Sequence, residues 1–411
     1  MSNGGRKKSI ALIAVILVAA VTLTGCVNLL EDYKESITEH QAAPYIRPPV
    51  ELVTVSDYDE LVATILTLIM EQETSAQLLY HHHDGEDVQA EFDRACEEIL
   101  NENPIGAYAV ANIIANATIV LYYYEVEIEI EYKRTQEQLS SIINVSSERY
   151  MRTQLLNIMS EYKEEAVIRT NLQITEENIA KFVTETYYQN PRRIIMLPKV
   201  TVEFFPEEGP DRILEIKFGN TDSPNILQQF GDDLALSVIQ NAALAVGDTD
   251  SEIILYLVNN LIESTNFDEG TARSIHSHGT QNFAATAFGA LVRGSAVGEG
   301  FAMAFKALCD ELGLDCRVVL GLYDGRYHAW NIISLYGDYY HIDVAMSDFK
   351  GLETAFLKTD ADFEEHYTWD RENTVRCEGG LTLEDIIGWE DPEDIDNPED
   401  SNGESNEGED D

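Results

Sequence analysis

Residues 295–312 read SAVGEGFAMAFKALCDEL, and two segments follow, YHAWNII at 327–333 and DYYHIDV at 338–344. Apolar side chains recur in the first stretch at helical spacing, at Phe301, Phe305, Leu308 and Leu312. The two later segments are rich in β-branched and aromatic residues and are joined by a short turn, so they predict two antiparallel strands. A helix beside such strands predicts an α+β domain.

Side-chain alternation along these strands brings titratable residues together. His328 and Trp330 share one face of the first strand, and His341 and Asp343 share one face of the second. Adjacent antiparallel strands would place His328 beside Asp343. A histidine oriented by an aspartate is the base half of a nucleophilic triad, so these two residues are the candidate catalytic pair.

Residues 281–345 resemble the transglutaminase-like superfamily, which has a papain-like core. The resemblance rests on four stretches in this order: Gly300-Phe301-Ala302 through Cys309-Asp310, Gly313-Leu314-Asp315-Cys316-Arg317-Val318-Val319, His328-Ala329-Trp330-Asn331 and Tyr340-His341-Ile342-Asp343-Val344. It implies a triad in which His328 and Asp343 serve a nucleophilic cysteine at the start of the helix. In the alignment on Val297, Gly300, Phe301 and Ala302, that position holds Gly298.

The glycine at this position decides the functional expectation. Gly298 has no side chain that could attack a carbonyl, so we expect no acyl-transfer chemistry there. The missing side chain would leave space at a helix N-terminus, beside Glu299 and Trp330, for an anionic or amide group. We therefore expect a binding or scaffolding domain that would accommodate a cysteine at 298. A retained structural hydrogen bond between His328 and Asp343 is the competing interpretation.

A second hypothesis keeps catalysis in this domain. Glu299 lies where a helix dipole favours a carboxylate and could act with His328 as an acid–base pair on water. Ser295, just before the helix, is the other candidate nucleophile. Such an enzyme would be a hydrolase or acyl transferase that acts on envelope peptides through His328 and Asp343. Cys309 lies about 16 Å from the helix start and is too distant to replace the nucleophile.

Residues 1–25 have the pattern of an export signal. Three basic residues precede an apolar run at 10–21, which is shorter than the ~20 residues that a membrane-spanning helix needs. The sequence LTGC at 23–26 resembles the lipobox of bacterial lipoproteins, which implies a lipid on Cys26. We expect a tether at 26–50 and an exported protein held on the outer face of the cell membrane. An uncleaved N-terminal anchor helix is the alternative.

The 411-residue chain carries a formal net charge of −47. Acidic residues crowd the segment 381–411, which becomes almost free of apolar residues, so we expect a disordered acidic tail there. Nucleic acid is a poor partner for so acidic a chain, and we expect none. The expected partners are the membrane, through the lipid, and a cell-wall peptide or surface protein. No cofactor is expected.

Residues 51–265 predict a helix-rich α+β region. A helix, an Asn-Pro break, strands and further helices occur twice, about 87 residues apart. The predicted helices of the two copies lie at 87–100, 135–145 and 147–165, and at 176–188, 225–246 and 250–263. We expect two related modules, with chance recurrence as the alternative, followed by a transglutaminase-like domain at 266–380.

Cysteine and histidine clusters complete the candidate sites. Cys309 and Cys316 are the expected disulfide pair in an oxidising compartment, with free buried thiols as the alternative. His81-His82-His83-Asp84 and His276-Ser277-His278 offer metal-binding side chains, but neither has the partners of a zinc site. Exposed loops are expected at both places, and no metal is expected.

Overall fold

The computed structural model describes residues 53–81 and 87–388. The expected export signal, Cys26, the expected tether, His82 to Asp84 and residues 389–411 of the expected acidic tail lie outside the described residues. In the described part, no helix is both long and apolar enough to cross a bilayer. The fold is mixed α+β, as predicted, with two small units followed by a larger C-terminal domain.

The first unit, residues 53–132, packs helices on one face of a four-stranded sheet. Its first helix buries Leu61, Ile65 and Ile69, which recur every four residues along one face. Asp57 and Asp87 cap the first two helices by accepting backbone N–H bonds. In chain order the elements are β1 (Val53–Val55), α1 (Tyr58–Glu71), β2 (Ser75–Tyr80), α2 (Val88–Asn101), α3 (Pro104–Ala109), β3 (Val110–Val120) and β4 (Tyr123–Tyr132).

The second unit, residues 143–219, has the same design and follows a short linking helix, α4 (Gln136–Ser140). Its second helix begins in a capping box between Thr175 and Asn178. The elements are β5 (Ile143–Val145), α5 (Glu148–Ser160), β6 (Glu165–Thr170), α6 (Glu176–Gln189), β7 (Lys199–Phe205) and β8 (Arg212–Gly219).

Apart from the additional helix α3 of the first unit, the two units share one order of elements and one sheet topology. The strand order is β1-β2-β4-β3 in the first and β5-β6-β8-β7 in the second. In each sheet the first two strands are parallel and the other neighbours antiparallel. Corresponding elements begin about 90 residues apart. Strands β1, β2, β3, β5 and β6 were not predicted. All of these except β3 are runs of three to six residues, which give little alternation. The helix predicted over 135–145 is short and gives way to β5.

The C-terminal domain, residues 224–388, surrounds one central helix. That helix, α11, is buried on every side from Gly298 to Cys309. The elements of the C-terminal domain are α7 (Pro224–Ala243), α8 (Asp250–Ser264), β9 (Asn266–Phe267), α9 (Glu269–Ser274), a 3-10 turn (Phe283–Ala285), α10 (Ala287–Leu291), β10 (Ser295–Ala296), α11 (Gly298–Leu312), β11 (Cys316–Tyr323), β12 (Arg326–Leu335), β13 (Asp338–Ile342), α12 (Val344–Lys350), α13 (Leu352–Ala355), α14 (Asp360–Phe363), β14 (Tyr367–Trp369) and α15 (Leu383–Ile387).

Helix α11 lies between helices and an antiparallel sheet. The sheet has the order β13-β12-β11-β14, and β12 packs along the helix. Phe301 and Phe305 are almost fully buried, and each such side chain contributes about 1.5–3 kcal/mol to stability. On the other side, α7 and α8 share the same apolar core through Leu234 and Leu257. Both helices, which precede the expected boundary at 265/266, pack directly against α11.

Candidate functional site

The N-terminus of α11 opens onto a cleft in the C-terminal domain. Val297 occupies the N-cap position and makes no side-chain hydrogen bond, so no side-chain cap satisfies the N–H groups of the first turn. The cleft has a volume of about 300 Å³. Its residues are Phe267, Glu269, Ala272, Arg273, Ile275, His278, Val297, Gly298, Glu299, Tyr323, Arg326, Tyr327, His328, Met346 and Phe349.

The structure brings His328 and Asp343 together at this cleft. Nε2 of His328 lies 2.5 Å from Oδ2 of Asp343. The same oxygen accepts the hydroxyl proton of Tyr367 at 2.9 Å, and Oδ1 accepts the N–H of Met346 at 3.0 Å. These bonds fix the carboxylate at the N-cap of α12. Nε2 of neutral His328 therefore carries the proton, which leaves the lone pair on Nδ1.

That lone pair faces Gly298. A Cβ atom at position 298 would overlap Nδ1 and Cε1 of His328 and would lie 3.4 Å from Nε2. The expectation that a cysteine would be accommodated at 298 is therefore wrong, because the ring of His328 would have to leave its place beside Asp343. Because residue 298 is a glycine, the imidazole of His328 can lie against the start of α11.

Glu299 lines the cleft but is held away from His328. Its side chain is buried, and Oε1 accepts the Tyr188 hydroxyl proton at 2.7 Å and the Gly279 N–H at 3.0 Å. Burial, together with the negative charge of Glu299, raises the pKa of Tyr188 far above its usual range, so the hydroxyl stays a donor. Among the described residues, Glu299 makes no hydrogen bond to His328, so the expected acid–base pairing is not formed in this structure.

His278 is the cleft residue that sequence reasoning assigned to an exposed loop. Nε2 of His278 lies 3.0 Å from the carbonyl oxygen of Gly321 and donates to it, since a carbonyl only accepts. Nδ1 lies 3.8 Å from Oε2 of Glu299, and the ring meets Tyr327 edge-on. No local pattern marks this position, because its partners come from β11, β12 and α11. His276, two residues earlier, is exposed as expected.

Trp330 was expected to contact a ligand, and the structure corrects this. Its side chain is completely buried behind His328, with the two rings stacked at 6.3 Å between centroids. The indole N–H donates to Nδ1 of His341 at 3.0 Å. Trp330 therefore supports the position of the His328 ring from the core and has no access to the cleft.

His341, Asp360 and Cys377 form a cluster whose candidate ligand atoms lie within 4.8 Å of one another. Because Nδ1 of His341 accepts from Trp330, the proton sits on Nε2 and is donated to Asp360 at 2.9 Å. Burial is the main cause that raises the pKa of Cys377, to about 12, so the thiol is protonated. The three residues thus form a hydrogen-bonded cluster in the core.

The other candidate nucleophiles lie outside the cleft. Ser295 belongs to β10, which pairs with β9, and it is absent from the cleft lining. Cys309 is fully buried, and its thiol contacts Cys316 while both remain free thiols. Burial raises the pKa of Cys309 well above its usual range. The structure thus has the expected disulfide partners in contact and unbonded. Cys96 is likewise a buried free thiol.

A comparison with known protein families identifies a domain in the C-terminal part of the chain. Residues 241–344 match the family model of the transglutaminase-like superfamily. A solved structure described as a TGase is similar to the chain at 12% identity and a TM-score of 0.26, over 53% of this chain and 60% of that one.

A second solved structure is described as a putative cysteine protease from Cytophaga hutchinsonii. It is similar at 15% identity and a TM-score of 0.22, over 36% of this chain and 62% of its own. The chain therefore spans less than two thirds of either solved structure. No match was found among curated proteins.

Proposed function

We propose that the transglutaminase-like domain at residues 241–344 is a binding domain without acyl-transfer activity. One observation carries the proposal: the His328 imidazole occupies the space beside α11 that a nucleophilic side chain at 298 would need. No cysteine, serine or threonine is among the described residues that line the cleft. A base is thus present without a side chain to activate.

The cleft suits a ligand with an anionic group on an apolar body. Helix N-termini bind anions, and the first turn of α11 has no side-chain cap. The guanidinium group of Arg326 adds positive charge at the cleft, whereas that of Arg273 is paired with Glu269. Phe267, Met346 and Phe349 provide an apolar wall. We propose that the occupant is the C-terminal carboxylate of a peptide with apolar side chains, such as one from the cell wall or from a surface protein.

Calorimetric titration with a short apolar peptide tests this proposal. The free carboxylate form is expected to bind, and C-terminal amidation to weaken binding by about tenfold, since the charge-assisted bonds are lost. Arg326→Gln should weaken binding similarly, whereas Arg376→Gln, an exposed arginine outside the cleft, should leave it unchanged. Equal affinity for the acid and the amide would contradict the proposal.

We further propose that the protein is exported and held on the outer face of the cell membrane by a lipid on Cys26. The sequence LTGC at 23–26 supports this location. Fractionation of cells that express the chain or its Cys26→Ser variant tests it. The first is expected with membranes and the second released from them, and equal partition of both would argue against the lipid.

The alternative proposal is a hydrolase or acyl transferase that acts on envelope peptides. The intact bond between His328 and Asp343 supports it, because this pair remains able to take a proton from water in the cleft. Incubation with cell-wall peptides distinguishes the two proposals. Turnover that disappears in His328→Ala would favour the enzyme and would exclude a purely binding domain.

A further inference from the structure

The outer face of the second unit's sheet is covered by the first unit. Helix α3 of the first unit packs on β7 and β8, and Val167 and Ile213 join the first unit's apolar core. Tyr108 of α3 meets Phe205 of β7 edge-on, with 5.5 Å between ring centroids. The two units are therefore joined through this sheet face.

A salt bridge lies at the centre of that interface. The guanidinium of Arg134, just after β4, bonds the carboxylate of Glu215 at 2.5 Å. Glu215 on β8 is only 4% exposed. Burial would raise the pKa of Glu215, but the hydrogen bonds from Arg134 and Lys217 outweigh it and lower the pKa. On the outer face of the second unit's sheet, Glu215 thus binds Arg134, which lies outside that sheet.

Strand register identifies the matching position in the first unit. Glu215 pairs with Val167 of β6 and with Glu203 of β7. In the first sheet, Glu127 of β4 occupies that place, because it pairs with Gln77 of β2 and Asn116 of β3. Glu127 is therefore the counterpart of Glu215.

The two counterparts differ in their surroundings. Glu127 is exposed and lies in a row with three further exposed glutamates of β4, at Glu125, Glu129 and Glu131. In the second unit, Lys217 and Arg134 neutralise the row that contains Glu215. Among the described residues, no salt bridge to the four glutamates of β4 is recorded. We name the exposed row Glu125, Glu127, Glu129 and Glu131 the β4 acidic face.

We propose that the β4 acidic face docks an extended basic segment of a partner protein, in the way that Arg134 docks on the second unit. Glu127 matches Glu215 in position, and no salt bridge among the described residues balances the negative charge of the β4 acidic face. Side chains on one face of a strand recur about every 7 Å, in β4 and in an extended partner alike. The partner segment therefore carries arginine or lysine at alternate positions.

Fluorescence anisotropy with the full chain tests this proposal. The probe is a labelled peptide of about ten residues in which arginine and threonine alternate, and its control has the same composition with the arginines in one block. At about 0.15 M salt, the alternating peptide is expected to bind at least about fivefold more tightly than the block peptide. Equal binding of the two peptides would overturn the alternate spacing on which the proposal depends.

Two variants with matched charge distinguish peptide binding at the β4 acidic face from peptide binding that depends only on the net negative charge of the chain. Replacing the four glutamates of the β4 acidic face by glutamine should weaken binding of the alternating peptide by about tenfold or more. The control variant replaces four exposed glutamates elsewhere and should bind within about twofold of the unmodified chain. These control positions are Glu164, Glu207, Glu208 and Glu263.

Two results would overturn the proposal. The first is an equal loss of affinity in both quadruple variants, because binding would then depend on net charge alone. The second is that the chain binds calcium and not the peptide, and that the variant of the β4 acidic face loses this calcium binding. The face would then be a metal-ion site. The test does not involve the cleft, so its outcome is independent of the proposed binding function.

Discussion

The imidazole of His328 lies in the space that a side chain at position 298 would occupy. The bond from Nε2 to Asp343 and the buried ring of Trp330 hold the imidazole there. The position of the His328 ring thus depends on the absence of a side chain at Gly298. The effects of substitutions at these two residues on the free energy of unfolding should therefore be coupled, and this coupling can be measured.

Gly298→Ala should destabilise the protein by about 1–3 kcal/mol, because the new Cβ would overlap the ring of His328. Helix propensity alone would favour alanine, so a net loss reports the overlap. Urea unfolding of the single variants and of the double variant with His328→Ala measures the coupling.

The matched control for this substitution is Gly380→Ala. No atom beyond its chain neighbours lies within 4 Å of a Cβ at 380, so its effect should stay below about 0.5 kcal/mol. In the His328→Ala background, Gly298→Ala should become neutral or stabilising. An equal loss with and without the imidazole would show that His328 does not occupy this space.

Tyr188→Phe should cost about 1.5–3 kcal/mol, because the buried carboxylate of Glu299 would lose its hydroxyl donor and keep its charge. The removed bond joins the second unit to the cleft, so thermal unfolding of the full chain is the appropriate measurement. Tyr150→Phe changes a tyrosine that is 43% exposed and should have almost no effect. Similar losses in the two variants would refute the importance of the Tyr188–Glu299 bond.

The four cysteines after Cys26 should react slowly in the folded protein. All are buried, and burial is the main cause that raises the pKa of Cys96 to about 11 and of Cys377 to about 12. In the Cys26→Ser variant, a thiol reagent at pH 8 should react about a hundredfold more slowly without denaturant than with it. A thiol that reacts equally fast in both conditions would reveal an accessible nucleophile that the structure does not contain.

His341 should make the protein less stable in mild acid. Burial lowers the pKa of His341 despite the neighbouring Asp360, so the folded state holds the ring neutral. The unfolded ring titrates at about 6.5, and stability is therefore complete above that pH and falls as the pH drops below it. His341→Gln should flatten the plot of unfolding free energy against pH between about 7 and 5. His276→Gln, at an exposed histidine, should leave the slope unchanged.

The sequence was sufficient to predict the centre of the C-terminal domain. Apolar residues at helical spacing identified α11, and alternation identified β12 and β13 to within a few residues. The proximity of His328 and Asp343 also followed from the strand pattern. These features depend on local periodicity, which a single sequence displays directly.

The contacts that decide the chemistry were not predictable in this way. Glu299 meets Tyr188 and Gly279, and neither partner is marked by a local pattern. Trp330 alternates with its neighbours like a cleft residue, but α14 and β14 cover it, and nothing in its own strand shows this. Glu215, the counterpart of Glu127 in the second unit, was not recognised because it stands among apolar residues of β8.

A transamidation assay tests the central claim most directly. The full chain is incubated with casein and a fluorescent primary amine, and amine incorporation and peptide release are followed for the unmodified chain and for His328→Ala. Because Gly298 leaves the His328–Asp343 pair without a nucleophile, both proteins should remain at the level of the blank. Incorporation or release by the unmodified chain that disappears in His328→Ala would contradict the claim that this domain binds without catalysing acyl transfer.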